Sequence, residues 1–134
     1  MNNIEHIAFA VRSLSNAIPL FEKLLGTPCY KTETVETEKV KTAFFKTGES
    51  KVELLESLTE DGVIAKFIDK KGEGMHHVAF AVEDIESEIL RLKSEGFEFI
   101  NEVPRKGADN KLICFLHPKS TNGILIELCQ EMGR

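Results

Sequence analysis

The sequence predicts an α+β fold built from two tandem βαβββ modules, on three observations. His6-Ile7-Ala8-Phe9-Ala10-Val11 returns as His77-Val78-Ala79-Phe80-Ala81-Val82, an offset of 77 − 6 = 71, with one change between β-branched aliphatics. Lys51-Val52-Glu53-Leu54-Leu55 is answered by Gly123-Ile124-Leu125-Ile126-Glu127-Leu128, at the similar offset 127 − 53 = 74. After each histidine motif comes a helical stripe closed by a glycine, Gly26 and then Gly96. Repetition of a whole module is the simplest source of all three.

Residues 4–11 alternate within an apolar run and read as a strand. Ser13 or Ser15 can cap a helix to about Leu25, with Ile18, Phe21, Leu24 and Leu25 on one stripe. Pro19 lies near enough to the helix start to be tolerated at some cost. Strands are expected near 28–34, 39–47 and 51–57, with Gly48-Glu49 turning between the last two. Residues 58–74 are polar, with an amphipathic patch at Val63, Ile64, Phe67 and Ile68 that reads as a short linking helix. The second module opens at Met75. Asp84 is the candidate cap of a helix with Ile85, Ile89 and Leu92 inward, and strands near 97–102, 111–117 and 123–130 complete it. This divides the chain into module 1 (about 1–58), a linker (about 59–74) and module 2 (about 75–134), forming one domain.

At 134 residues and 42% hydrophobic content, the chain has the composition of a soluble globular protein. A module of roughly 60 residues buries too little surface to be stable alone, and its strand edges need cover, which predicts a homodimer. The net charge of −5 argues against a nucleic-acid partner. No apolar run approaches the roughly 20 residues that span a bilayer, and the N-terminus shows no basic leader, which predicts a cytoplasmic protein without a membrane partner. Cys29, Cys114 and Cys129 are odd in number and widely spaced. They read as free thiols in a reducing compartment.

Side chains alternate faces along a strand. His6 therefore shares a face with Ala8 and Ala10, and His77 with Ala79 and Ala81. The bulky residues between them should lie under helices, while the alanines line a concave face with room for a ligand. Parity also favours His77 over His76, which falls on the side of Val78 and Phe80. Glu53 and Glu127 each sit in an apolar strand, where a carboxylate is costly unless paired or coordinated. A single strand histidine is more often structural than a ligand. Two His and two Glu at repeat-equivalent places point instead to a divalent-metal site of His6, Glu53, His77 and Glu127.

Three further segments carry a resemblance: Ile4-Glu5-His6-Ile7-Ala8; Gly72-Glu73-Gly74-Met75-His76-His77-Val78-Ala79-Phe80; and Phe115-Leu116-His117-Pro118-Lys119 followed by Gly123-Ile124-Leu125-Ile126-Glu127-Leu128. In this order they resemble the vicinal oxygen chelate (glyoxalase/bleomycin resistance-like) superfamily, and within it the methylmalonyl-CoA epimerases, over essentially the whole chain. The resemblance implies an open, cupped mixed β-sheet around one divalent ion, Co²⁺ foremost, with Mn²⁺, Ni²⁺, Zn²⁺ or Mg²⁺ also compatible. It places the metal ligands on His6, Glu53, His77 and Glu127. It also implies interconversion of the 2R and 2S epimers of an acyl-CoA by α-proton abstraction through a metal-stabilised enolate. Glu53 stands where the family often has glutamine, and its extra charge should tighten metal binding. Thr42 stands where some members carry a proposed catalytic glutamate, and a threonine cannot act as that base.

The chemistry requires a Lewis acid for the oxygen that gains charge and a carboxylate near it as base. Glu127 is the candidate catalytic residue. Arg105, Lys106, Lys111 and Lys119 form the densest basic stretch near the second-module motifs, and Arg105, Lys106 and Lys119 are candidate substrate-binding residues for CoA phosphates. On loops, such residues more often form only a solvated face. Gly107-Ala108 suggests a turn where backbone could approach a ligand, and His117 carries no assigned role. One alternative is a glyoxalase I-like isomerase of a thiol hemithioacetal, against which stands the absence of its aromatic-rich strands. A second is a metal-free small-molecule-binding module of the same fold. An extradiol dioxygenase needs only three protein ligands and leaves Glu53 unused.

Overall fold

The alternating pattern of residues 4–11 forms strand β1 (Asn3–Ala10) in the computed structural model, which describes residues 1–133. The chain folds as two compact units, one from His6 to His76, the other from Met1–Glu5 together with the chain after His76.

In the first unit, helix α1 (Leu14–Leu25) begins at Ser13, whose hydroxyl accepts from the Asn16 N–H at 3.2 Å. Asn16 N–H is one of the donors that a helix start leaves without a helical partner. It continues through Pro19 and ends at Gly26, whose φ of 69° is the left-handed conformation that glycine adopts freely. Strands β2 (Lys31–Val35), β3 (Val40–Thr47) and β4 (Ser50–Ser57) follow. β2 starts later than the sequence suggests, beyond Pro28, which has no N–H to give a ladder. The sheet runs β2-β3-β4-β1, antiparallel except for the parallel β4–β1 pair. One face packs Val11, Leu54, Phe45 and Ala43 under α1, with Phe9, Ile18 and Phe21 beside them. Burying each large side chain here contributes roughly 1.5–3 kcal/mol.

Helix α2 (Val63–Lys71) is the linking helix of the sequence reading, and it covers the other face. Its Ile64 and Ile68 pack with Ala8, Ala10, Val40 and Leu55. This corrects one expectation. Ala8 and Ala10 are fully buried beneath α2 instead of lining an open face, because α2 has its own apolar stripe to bury and the small residues let it approach the sheet.

The second unit repeats the order. Strand β5 (Gly74–Ala81) leads to helix α3 (Ile85–Ser94), capped by Asp84 through the Ser87 N–H at 3.2 Å. Ile85, Ile89 and Leu92 face inward against Leu128, Leu116 and Cys114. Strands β6 (Arg105–Lys106), β7 (Lys111–Leu116) and β8 (Ile126–Glu131) complete a sheet ordered β5-β8-β7-β6, with β5 and β8 parallel. The two helix starts are held alike. Leu14 N–H donates to Glu56 Oε1 at 2.7 Å, and Ile85 N–H donates to Gln130 Oε1 at 2.7 Å.

The expected strand at 97–102 is absent. Phe99 makes a single bridge to Leu116, and regular pairing resumes only where Arg105 faces Ile113. Opposed residues in an antiparallel ladder keep a constant sum, yet 99 + 116 = 215 and 105 + 113 = 218. Three extra residues therefore bulge out. Pro104 lies in this excursion and can donate no ladder hydrogen bond. The last strand also starts later than expected, because Asn122 and Gly123 turn with φ of 57° and 82°.

Candidate metal and proton-transfer centre

Parity and register assemble one His–Glu pair in each unit. In the first, β1 and β4 run parallel with Ala8 opposite Glu53, so His6 and Glu53 project from the same face of neighbouring strands. His6 Nδ1 lies 3.2 Å from Glu53 Oε2. In the second, Ala79 is opposite Glu127, and His77 Nε2 lies 2.9 Å from Glu127 Oε1. All four residues are 5–6% exposed. These are the only charged or imidazole side chains classed as buried among the described residues, with Thr42 the one further buried polar side chain.

No fully buried side-chain nitrogen or oxygen among the described residues lacks a hydrogen-bond partner. The desolvation cost of each carboxylate is therefore met by a specific neighbour. A buried imidazole beside a buried carboxylate is a donor set of nitrogen and oxygen, which suits divalent first-row metals. The chemistry of the residues present thus fits a divalent ion.

The surroundings differ between the pairs. The His77 ring meets Phe115 edge-on, with centroids 5.5 Å apart. Phe115 is the ladder partner of Glu127, and Ala79, Ile113 and Cys129 pack with it on the same face. Burial pushes the Cys114 thiol up to about 12, and the negative charge of Glu127 adds to the shift, against a smaller opposing effect of Arg105. Cys114 is thus a protonated, unreactive thiol near neutral pH. None of the three cysteines is joined in a disulfide. His76 points elsewhere. Its ring lies edge-on to Phe67 of α2, with centroids 4.9 Å apart, as the strand alternation requires.

Thr42 is 1% exposed on β3, opposite Leu55 on one side and Glu33 on the other. Glu36 and Glu38 belong to a short 3-10 turn beyond β2, with Glu36 exposed.

The candidate substrate-binding cations occupy three different settings. Arg105 pairs with Ile113 and so shares the face of Phe115 and Glu127. Its guanidinium carbon lies 6.0 Å from the Phe115 ring centroid, and Nη1 donates to Asn101 Oδ1 at 2.7 Å. Lys106 is exposed on the opposite face of the strand. Lys119 stands in a 3-10 turn (Pro118–Ser120) and pairs with Glu98 at 3.0 Å, both side chains 59% exposed. Lys111 reaches Asp109 at 3.8 Å and Glu5 at 4.0 Å. Gly107 makes room for a side chain of the protein itself, since a Cβ there would sit 2.6 Å from Ile113 Cδ1. His117 has a local role, accepting from the Lys119 N–H through Nδ1 at 3.2 Å.

The sequence reading missed the aromatic–cation contacts, among them Arg105 on Phe115 and Lys31 on Phe44, the latter with Nζ 4.8 Å from the ring centroid. A signal was present, because Phe44 and Phe115 stand 115 − 44 = 71 apart, the histidine offset.

The model of the glyoxalase/bleomycin resistance protein/dioxygenase superfamily matches residues 5–115. The chain belongs to that superfamily. It is 41% identical over 133 residues to the uncharacterised protein YqjC of Bacillus subtilis, covering 99% of this chain and 95% of that one. It is 34% identical over 131 residues to the human mitochondrial methylmalonyl-CoA epimerase, covering 97% of this chain and 74% of the relative. Among solved structures, methylmalonyl-CoA epimerase from Mycobacterium tuberculosis superposes with a TM-score of 0.93 at 32% identity, covering 98% and 89% of the two chains. The α+β fold of paired modules is thus that of superfamily members whose activity is an epimerisation. No helix among the described residues is long and apolar enough to cross a membrane.

Proposed function

We propose that this chain catalyses the metal-dependent epimerisation of methylmalonyl-CoA, interconverting the 2R and 2S epimers. One observation carries the reading: a buried His–Glu pair occurs at repeat-equivalent positions of both units, in a chain whose relatives include named methylmalonyl-CoA epimerases. His6, Glu53, His77 and Glu127 would together hold one divalent ion, Co²⁺ foremost. When bound, the ion supplies Lewis-acid stabilisation to the substrate oxygen that becomes negative as the α-proton leaves.

The remaining work falls to the chain's own groups. Glu127 takes the α-proton from one face of the reacting carbon, and inversion requires that a proton return to the opposite face from a second donor. His77, 2.9 Å from it, keeps the carboxylate oriented. The buried shell around it, Ala79, Ile113, Cys129 and Phe115, limits water at the reacting carbon. Arg105 lies nearest to this chemistry on its sheet face, while Lys106 and Lys119 extend exposed ammonium groups suited to CoA phosphates. The protein acts as a cytoplasmic homodimer in this reading. Sedimentation at micromolar concentration should give twice the chain mass, and a stable monomer would count against it.

The deciding experiment is to incubate a single epimer of methylmalonyl-CoA with the protein in deuterated water, with and without added Co²⁺. Deuterium at the α-carbon together with loss of optical purity, dependent on the ion, is the expected result. Retention of both the proton and the optical purity would refute the reading.

A further inference from the structure

One face of the first unit's sheet gathers lysines around an aromatic pair. Lys51 faces His6 across the β4–β1 pair and Lys46 across the β4–β3 ladder, so all three side chains share the face of Glu53. Phe44, two residues along β3 from Lys46, lies on that face and is fully buried. Tyr30, just ahead of β2, donates its N–H to the Phe44 carbonyl at 3.0 Å, and the two tilted rings have centroids 6.1 Å apart. The Lys46 ammonium lies 5.6 Å from the centroid of the Tyr30 ring. The duplication does not account for this group. The repeat offsets carry Lys46 to 46 + 71 = 117 and Lys51 to 51 + 74 = 125, which are His117 and Leu125. The opposed lysines are thus particular to the first unit.

We propose that this face binds the nucleotide end of an acyl-CoA, with adenine stacked on Tyr30 and phosphate held by Lys46 and Lys51; this rests on the epimerase reading above. Three features support it. Lysines directly opposed on one face repel each other, and a phosphate between them replaces that repulsion with two charge-assisted contacts. Next, Tyr30 is 41% exposed, yet its ring is set against the buried Phe44. An accessible ring ordered in advance is a stacking platform for a base and lowers the entropy lost on binding. The Lys46 ammonium over that ring can pass to a phosphate as the base arrives. Lys119, by comparison, already pairs with Glu98 at 3.0 Å. Finally, Tyr30 stands beside β2, three strand spacings from β1 and His6, roughly 14 Å. A pantetheine arm spans that distance, so the acyl group can meet the His–Glu residues while the nucleotide rests at the sheet edge.

The test compares two thioesters that share the acyl group and the arm and differ in the nucleotide with its phosphates. Malonyl-CoA and malonyl-pantetheine are titrated calorimetrically in Co²⁺-containing buffer into wild-type protein, Lys46→Met, Lys46→Arg, Tyr30→Leu, Lys106→Met and Lys119→Met. Epimer interconversion is followed in parallel. Lys46→Met should weaken malonyl-CoA binding about tenfold and leave malonyl-pantetheine within about twofold, as loss of one charge-assisted contact predicts. Tyr30→Leu should have the same selective effect, about tenfold for the loss of one base stack. Lys46→Arg should keep most of the wild-type affinity. Equal weakening of both thioesters, or of neither, would overturn the assignment even if wild-type protein epimerises its substrate. A nucleotide-dependent loss confined to Lys106→Met or Lys119→Met would overturn it too, moving the nucleotide to the second unit. Wild-type protein that fails to epimerise, yet prefers malonyl-CoA in a Lys46- and Tyr30-dependent way, would overturn the reaction and leave the nucleotide site standing.

Discussion

Glu127→Gln is expected to lose nearly all α-proton exchange while still retaining a divalent ion. Glutamine preserves an oxygen ligand and the side-chain volume, so the substitution separates proton transfer from coordination. Removal of a positioned general base costs roughly 10²–10⁴-fold in rate. The packing around the residue should survive, since Ala79, Ile113, Cys129 and Phe115 remain in contact. Thr42→Ala provides the contrast. Its hydroxyl is buried on β3 and is a poor base near neutral pH, so most activity should remain. Deuterium exchange from each epimer separately, with metal content measured on the same samples, checks both expectations. Near-normal turnover in metal-replete Glu127→Gln would transfer the base role to Glu53 or to water.

His77→Ala should abolish retention of the ion, whereas His76→Ala should leave it largely intact. The two residues are adjacent, yet strand alternation sends His77 to Glu127 and His76 to Phe67. Elemental analysis after exhaustive dialysis gives the readout. His77→Ala also removes the 2.9 Å partner of a buried carboxylate, and loss of a hydrogen bond to a charged group costs roughly 1.5–3 kcal/mol. A fall in Tm should therefore accompany metal loss. His76→Ala removes an edge-on ring contact, for which about 0.5–1.5 kcal/mol is the usual scale. Equal metal loss in both variants would mean that the ion does not depend on the face His77 occupies.

Much of this architecture is legible in the residues. The motif beginning at His6 and repeated from His77 marks β1 and β5, and alternation alone places each histidine on the face of its glutamate's strand partner. Ser13 and Asp84 announce helix starts, because their side chains satisfy an amide that the helix cannot. Gly26 announces an end for the converse reason, its left-handed φ.

What the sequence by itself determined was therefore periodic and local: the duplication, the element order, the caps, and which of two neighbouring histidines faces Glu127. Tertiary structure decided the rest. Apolar spacing in α2 shows that it must cover something, but not that it covers Ala8 and Ala10, since the choice of face depends on a partner distant in sequence. The excursion ahead of β6 moves Arg105 opposite Ile113 and brings its guanidinium over Phe115, and no local pattern counts those three extra residues. Lys31 reaches its row only because β2 pairs with β3 in one register, and a slip of one residue would turn it to the other face. Alternation is a property of a single strand. Register and helix placement belong to contacts between distant segments, and those form only in the folded chain.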